Sequence, residues 1–316
     1  MLDIRGISFS YFDKITLNDV NFKLNKGQIL AVIGESGCGK STLLKLIYGL
    51  YDLDKGHIFW NDTEVFGPKK HLVPGMNQMK YLAQDFDLMP YVSVAENVGK
   101  YLSNTSTDKK QHRIKELLEV VEMVDYINVQ TKYLSGGQLQ RIALAKALAL
   151  KPQILLLDEP FSHIDNFRKN SLRRRLFAFV KRNKITTLIA THDSTDVLSF
   201  ADETIVLKEG EIVAHNATSA VYNFPKNKYV ASLFGDVNEI ESAYFDNFGA
   251  ADIVLLYAHQ LRITRFSKLK VQVIHTFFRG SHYLVECSYE KGSLFFQNEH
   301  NIDNGTVVFL SKKLQN

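Results

Sequence analysis

At 316 residues the chain has room for one large domain and a smaller one, each with a core of its own. Its 45% hydrophobic and 23% charged content excludes a disordered or fibrous polymer, and no apolar run approaches the ~18 residues needed to cross a bilayer as a helix. The net charge of +4 is small, with nine acidic and eight basic side chains after residue 235, so no basic stripe tracks a phosphodiester backbone and no nucleic-acid partner is expected. The opening Met1-Leu2-Asp3-Ile4-Arg5 lacks the apolar core of a signal peptide. Cys38 and Cys287 make no disulfide framework, so a reducing, cytoplasmic location is expected.

Residues 2–11 and 17–24 carry partly alternating apolar side chains and read as antiparallel strands, with Asn25-Lys26-Gly27 turning into a third strand at 29–33. Tyr11 offers an aromatic face to a nucleotide base, as Phe12 also does, although a strand tyrosine is more often simply packed. Gly34-Glu35-Ser36-Gly37-Cys38-Gly39-Lys40-Ser41 follows the third strand, and residues 42–50 have helical spacing. Such a strand-to-helix turn aims backbone N–H groups and a helix N-terminus at phosphate oxygens, with Lys40 adding a cation and Ser41 a hydroxyl for magnesium. The thiol of Cys38 within this loop is expected to be reachable when the site is empty.

Residues 55–65 read as a hairpin, 69–75 as a loop, and 79–83 as a core strand ending at Gln84, whose carbonyl oxygen suits a magnesium-bound water as well as it suits an exposed loop. After the apolar loop at 88–91, residues 94–102 and the series Ile114, Leu117, Leu118 and Val121 form a helical insertion. Leu134-Ser135-Gly136-Gly137-Gln138 opens an alanine-rich helix. Ser135 with Gln138 is either an ordinary capping box or a second phosphate cradle. The apolar strand 154–157 delivers Asp158 and Glu159, a carboxylate pair costly to bury without a cation. His192 follows the strand at 187–190, and the short alternating runs after residue 235, broken by Gly280, Gly292 and Asn304-Gly305, read as a small β-barrel.

The phosphate loop together with Leu134-Ser135-Gly136-Gly137-Gln138 resembles the ATP-binding cassette (ABC) ATPases. That resemblance implies an α/β P-loop cassette over 1–235, with antiparallel β and helical subdomains, and an OB-like barrel over 236–316 of the kind found in importers. It implies ATP held by Tyr11, residues 34–42 (Gly34, Glu35, Ser36, Gly37, Cys38, Gly39, Lys40, Ser41, Thr42) and Gln84, with Ser135, Gly136, Gly137 and Gln138 contributed in trans by a second copy. Magnesium would be held by Ser41, Gln84 and, through water, Asp158. Lys40, Glu159 and His192 would be catalytic, and Ser162 and Asp165 would belong to a D-loop at the interface of a homodimer, although His163 and Ile164 depart from its commonest form. The same resemblance implies integral-membrane permease subunits docking on residues 84–91, a substrate-binding protein acting indirectly, and a peripheral place on the cytoplasmic face of the membrane. Its alternatives are an exporter ATPase, or a soluble cassette ATPase acting on nucleic acid or ribosomes.

Overall fold

The computed structural model describes residues 1–83, 85–245 and 253–313, and the chain divides into two compact units, Met1–Ser219 and Ala220–Asn316. The first opens with β1 (Leu2–Tyr11) and β2 (Lys14–Leu24), an antiparallel pair with Leu2 opposite Leu24 and Tyr11 opposite Lys14. Their inward residues, among them Ile4, Ile7, Leu17 and Val20, are buried in one apolar cluster, and the steps of three from Ile4 to Ile7 and from Leu17 to Val20 mark register shifts that interrupt the two-residue alternation of the pair. β3 (Ile29–Ile33) is buried at every position, because parallel strands covered on both faces have no wet side. There follow α1 (Lys40–Ile47), β4 (Lys55–Trp60), β5 (Thr63–Glu64), β6 (Met79–Leu82), α2 (Val94–Gly99), α3 (Thr107–Val120), α4 (Gly136–Leu148) and β7 (Ile154–Asp158). The unit continues with α5 (Asn166–Arg182), β8 (Thr186–Thr191), α6 (Ser194–Phe200), β9 (Glu203–Lys208) and β10 (Glu211–Ala217). Of these, α5, α6 and the β9–β10 hairpin are additions to the elements expected from the sequence.

Two sheets organise this unit, one ordered β2-β1-β4-β5 and one ordered β10-β9-β3-β8-β7-β6. In the second sheet β3, β6, β7, β8 and β9 run parallel, and only the β9–β10 hairpin is antiparallel. Register places Ile33 beside Thr191 and Asp158 beside Ala190. The C-terminal ends of β3, β7 and β8 therefore open at one edge, where α/β sheets bind their ligands.

The division at Ser219 falls within α7 (Thr218–Asn223) and ahead of the boundary expected near Gly235. Residues 220–235 cluster with the second unit: Tyr222 stacks on Tyr257 at 4.6 Å and 7°, and Lys228, at the start of α8 (Lys228–Ser232), pairs with Glu239 at 3.0 Å. β11 (Val237–Glu241) and β12 (Ile253–Tyr257) form a two-stranded sheet. A five-stranded antiparallel sheet follows, built from β13 (Leu261–Thr264), β14 (Leu269–Phe278), β15 (Tyr283–Tyr289), β16 (Gly292–Asn298) and β17 (Val307–Lys312) in the order β13-β17-β14-β15-β16. Its core includes Leu261, Val271, Val285, Leu294, Phe296 and Leu310, so the part of the unit after α8 is built on β-strands and is barrel-like. β11 escaped the sequence reading because one of its inward positions is polar. Asn238, 4% exposed, takes a core place by donating to the Phe295 carbonyl at 2.7 Å and accepting the Phe295 N–H at 2.7 Å.

Candidate active site

The phosphate loop is wedged rather than free. A Cβ on Gly34 would lie 2.1 Å from the Leu207 carbonyl, and one on Gly39 would lie 2.8 Å from Leu17 Cδ2, so β9 and the β1–β2 hairpin both press on it. Gly39 caps α1 at φ 109°, a conformation that costs side-chain-bearing residues. Helix α1 begins at Lys40, ahead of the expected start at residue 42, and its first N–H groups thereby join the loop. Glu35, Ser36 and Gly37 form the exposed crest. Lys40 is 8% exposed, and its Nζ folds back over the loop, donating to the carbonyls of Gly34 at 2.7 Å and Glu35 at 2.8 Å.

Cys38 does not behave as the sequence suggested. The side chain is 7% exposed, and burial pushes its thiol pKa up despite Lys40 Nζ at 3.8 Å from Sγ. Cys287 is fully buried, and burial pushes it up to about 12. Native Cys38 and Cys287 are therefore expected to react with maleimide at pH 7 about tenfold or more slowly than in urea, since only an accessible thiolate is nucleophilic. Mass spectrometry of timed labelling checks this. A native Cys38 that labels at the unfolded rate would contradict the packing.

Tyr11 ends β1 in an aromatic group, with Phe9 edge-on at 4.8 Å and Tyr51 edge-on at 5.6 Å. Burial raises its pKa, and the nearby Thr42 side chain opposes the rise. Phe12, the competing aromatic, is fully exposed at φ 52°.

Across the loop, Ser41 Oγ donates to Asp158 Oδ1 at 2.9 Å and the Tyr81 hydroxyl donates to Asp158 Oδ2 at 3.2 Å. The expected uncompensated acidic pair is thus satisfied within the chain. Burial still raises the Asp158 pKa, with the two hydroxyls working against that rise. Glu159 sits at φ 48°, its N–H held by the Ala190 carbonyl at 2.9 Å and its Oε2 2.8 Å from His192 Nδ1. Gln140, 2% exposed, donates to the Glu159 carbonyl at 2.9 Å, and Ser162 Oγ does so at 3.1 Å.

The residues on either side of His192 belong to a cluster that the sequence did not reveal. Thr191 Oγ1 donates to Asp196 Oδ2 at 2.8 Å and accepts the Asp193 N–H at 3.0 Å. Arg173, 4% exposed, pairs with Asp193, and its Nε lies 2.5 Å from Asp196 Oδ1. Burial drives the Asp196 pKa up to about 6, against the attraction of Arg173. At Asp193 burial also acts upward, but hydrogen bonds from Arg173 and the Thr195 N–H leave it below the usual range. Arg173 lies on α5 far from the motifs in sequence, so no local pattern marks it.

Ser135 and Gln138 form a reciprocal capping box: the Ser135 N–H donates to Gln138 Oε1 at 2.8 Å and the Gln138 N–H donates to Ser135 Oγ at 3.4 Å. A Cβ on Gly136 would meet nothing within 4 Å, whereas one on Gly137 would lie 2.6 Å from the His163 carbonyl. The helix start thus abuts the turn holding Ser162 and leaves the Gly136 backbone approachable. Asp165 caps α5 by position, yet its side chain makes no capping hydrogen bond. Gln84 lies outside the described residues. In the loop after it, Asn97 takes the Met89 N–H on Oδ1 at 2.8 Å and donates to the Met89 carbonyl at 3.0 Å. Tyr91 is 73% exposed.

Known proteins resemble this chain in sequence and fold. The family described as ABC transporter matches residues 17–162. The spermidine/putrescine import ATP-binding protein PotA of Clostridioides difficile (strain 630) is 31% identical over 331 residues, covering 98% of this chain and 94% of that protein. PotA of Pasteurella multocida (strain Pm70) is 33% identical over 240 residues, 75% of this chain, and the aligned part spans 64% of its length. Among solved structures, the dimeric post-hydrolysis state of the ATP-binding cassette MJ0796 bound to ADP and Pi superposes with a TM-score of 0.61 at 26% identity, over 69% of this chain and 99% of that one. The chain belongs to the ATP-binding cassette family of transporter ATPases.

Proposed function

We propose that the chain is the ATP-hydrolysing subunit of an ABC importer, acting as a homodimer at the cytoplasmic face of the membrane beneath permease subunits that receive solute from a binding protein. The observation that supports this best is the convergence of Lys40, Ser41, Asp158, Glu159 and His192 at one edge of the parallel sheet, in a chain that aligns with an import ATPase over 98% of its length. Among the described residues no helix is long and apolar enough to cross a membrane.

In this reading the wedged loop binds the phosphates of ATP through its N–H groups, Lys40 turns its ammonium to the outer phosphates, and the Tyr11 ring packs on adenine. Ser41 Oγ and the Asp158 carboxylate supply hard oxygen donors, and the raised Asp158 pKa marks a carboxylate that a cation would stabilise, so the pair fits magnesium. Magnesium, when bound, neutralises charge on the transferring phosphoryl group. The family resemblance assigns Gln84 to magnesium as well, Glu159 orients the attacking water and His192 contacts the terminal phosphate. Ser135, Gly136, Gly137 and Gln138 cover the nucleotide of the partner subunit, and Ser162 and Asp165 lie along the shared interface.

Gene disruption followed by uptake of labelled spermidine tests the import reading, because both PotA relatives carry that solute in their names. Lost uptake, restored by the wild-type chain and not by a Lys40→Ala variant, is the expected result. Normal spermidine uptake would remove the polyamine, and failure of membrane permease subunits to co-purify with the chain would remove the importer. Residues 85–91 are the proposed permease contact, and Tyr91 is its exposed aromatic. Tyr91→Glu is expected to lower uptake about tenfold or more, the scale of an interface hot spot, while basal ATP hydrolysis stays near wild type. Equal loss of both activities would show that Tyr91 serves the fold instead.

A further inference from the structure

Phe86 and His163 join two loops that are remote in sequence. Phe86 lies in the loop between β6 and α2, and His163 lies in the turn after Glu159. Their rings meet edge to face, with centroids 5.5 Å apart and planes at 84°. From His163 a chain of hydrogen bonds leads directly to the Glu159 main chain. His163 Nδ1 lies 3.1 Å from Ser162 Oγ, Ser162 Oγ lies 3.1 Å from the Glu159 carbonyl oxygen, and Gln140 Nε2 lies 3.3 Å from the same hydroxyl. A serine hydroxyl has one hydrogen. If it is given to the Glu159 carbonyl, the Gln140 amide and a His163 Nδ1–H donate to Ser162 Oγ. The His163 N–H in turn donates to Gln140 Oε1 at 3.1 Å, and the start of α4 closes on the His163 carbonyl at Gly137.

We propose that His163 is a positioning residue for ATP hydrolysis, and that with Phe86 it forms a lever through which the loop at 85–91 sets the main-chain position of Glu159. The inference rests on the ATPase role of the site, and it deepens the reading of that loop as a permease contact by giving the contact a route to the chemistry. Because Glu159 holds a left-handed backbone, its orientation depends on the groups bonded to its N–H and carbonyl. Release of Ser162 Oγ by a displaced imidazole removes one of them. The loop is fixed on the far side of Phe86 by Lys146, whose Nζ meets Asp87 Oδ2 at 3.0 Å, and by Asn97 at Met89, so Phe86 is held against His163 by its neighbour Asp87 and by the clamp beyond it.

Steady-state hydrolysis by the full-length protein tests the lever in wild type, Phe86→Ala, His163→Ala, the double variant and Phe86→Tyr. Each alanine variant is expected to lower kcat about two- to tenfold, the range that one aromatic contact supports, with KM for ATP changing less than about twofold. The double variant should fall no further than the worse single, since both remove the same contact. Phe86→Tyr, which keeps the ring, should stay within about twofold of wild type. An unchanged kcat in either single variant, multiplying effects in the double, or a several-degree loss of Tm in His163→Ala would each overturn the proposal. Should the wild type hydrolyse no ATP, the ATPase assignment fails by itself. Hydrogen exchange at the Ser162 and His163 amides then judges the contact, with faster exchange in Phe86→Ala supporting it and identical exchange overturning it.

Discussion

Glu159→Gln is expected to bind ATP normally and to turn it over about 10²-fold or more slowly than wild type, the loss that follows removal of a positioned general base. The amide keeps the size of the carboxylate and can still meet His192 Nδ1, now 2.8 Å from Oε2. The main-chain bonds to Ala190, Gln140 and Ser162 do not involve the side chain at all. What disappears is the negative oxygen proposed to polarise water, so a nucleotide-bound dimer should accumulate. Size-exclusion chromatography of the variant with ATP, beside a steady-state phosphate-release assay, checks both halves. Turnover near that of wild type would take Glu159 out of its role.

Arg173→Ala should produce the largest loss of stability, about 3–5 kcal/mol, because it leaves charge buried without its counter-ion. The residues left behind are Asp193 and Asp196, the latter 2% exposed. The guanidinium also lies over the Phe161 ring at 5.4 Å, so packing is lost along with charge. Urea unfolding with a monomeric nucleotide-free sample measures this, and a change under about 1 kcal/mol would show that the cluster is not an anchor. The same cluster predicts a pH signature. Burial raises the Asp196 pKa from 3.8 to about 6, so between these values the folded chain binds more protons than the unfolded one. The stability attributable to this residue therefore falls as pH rises through that window, and is level above it. Asp196→Asn should flatten that fall, whereas Asp193, whose pKa is lowered, contributes in the opposite sense and loses its contribution as pH falls.

Local motifs were legible because each places its chemistry in a few consecutive residues. The glycines of 34–39, the Ser135–Gln138 capping box and the acidic end of β7 all occur where their patterns put them. Supporting residues were not legible, since their partners are distant in sequence. Nothing in α5 distinguishes Arg173, which turns inward, from Arg174 and Arg175 beside it, and Gln140 reads as one more polar position on an alanine-rich helix until it meets the Glu159 carbonyl. The burial of Cys38 was missed for a related reason. A loop that binds ligands suggests openness, but this one is backed by Leu207 and Leu17 from elements on either side. In the second unit, periodicity located most strands, and the polar Asn238 hid the first.

The backbone of Glu159, at φ 48°, has a consequence for how the position can vary. A left-handed conformation costs a residue with a long side chain about 1 kcal/mol or more, and glycine almost nothing. At this one position the better-folded chain is therefore one that carries no carboxylate. On the proposed role of Glu159, selection for backbone ease alone would drift toward glycine at the expense of turnover, and the benefit of turnover is what holds a glutamate there.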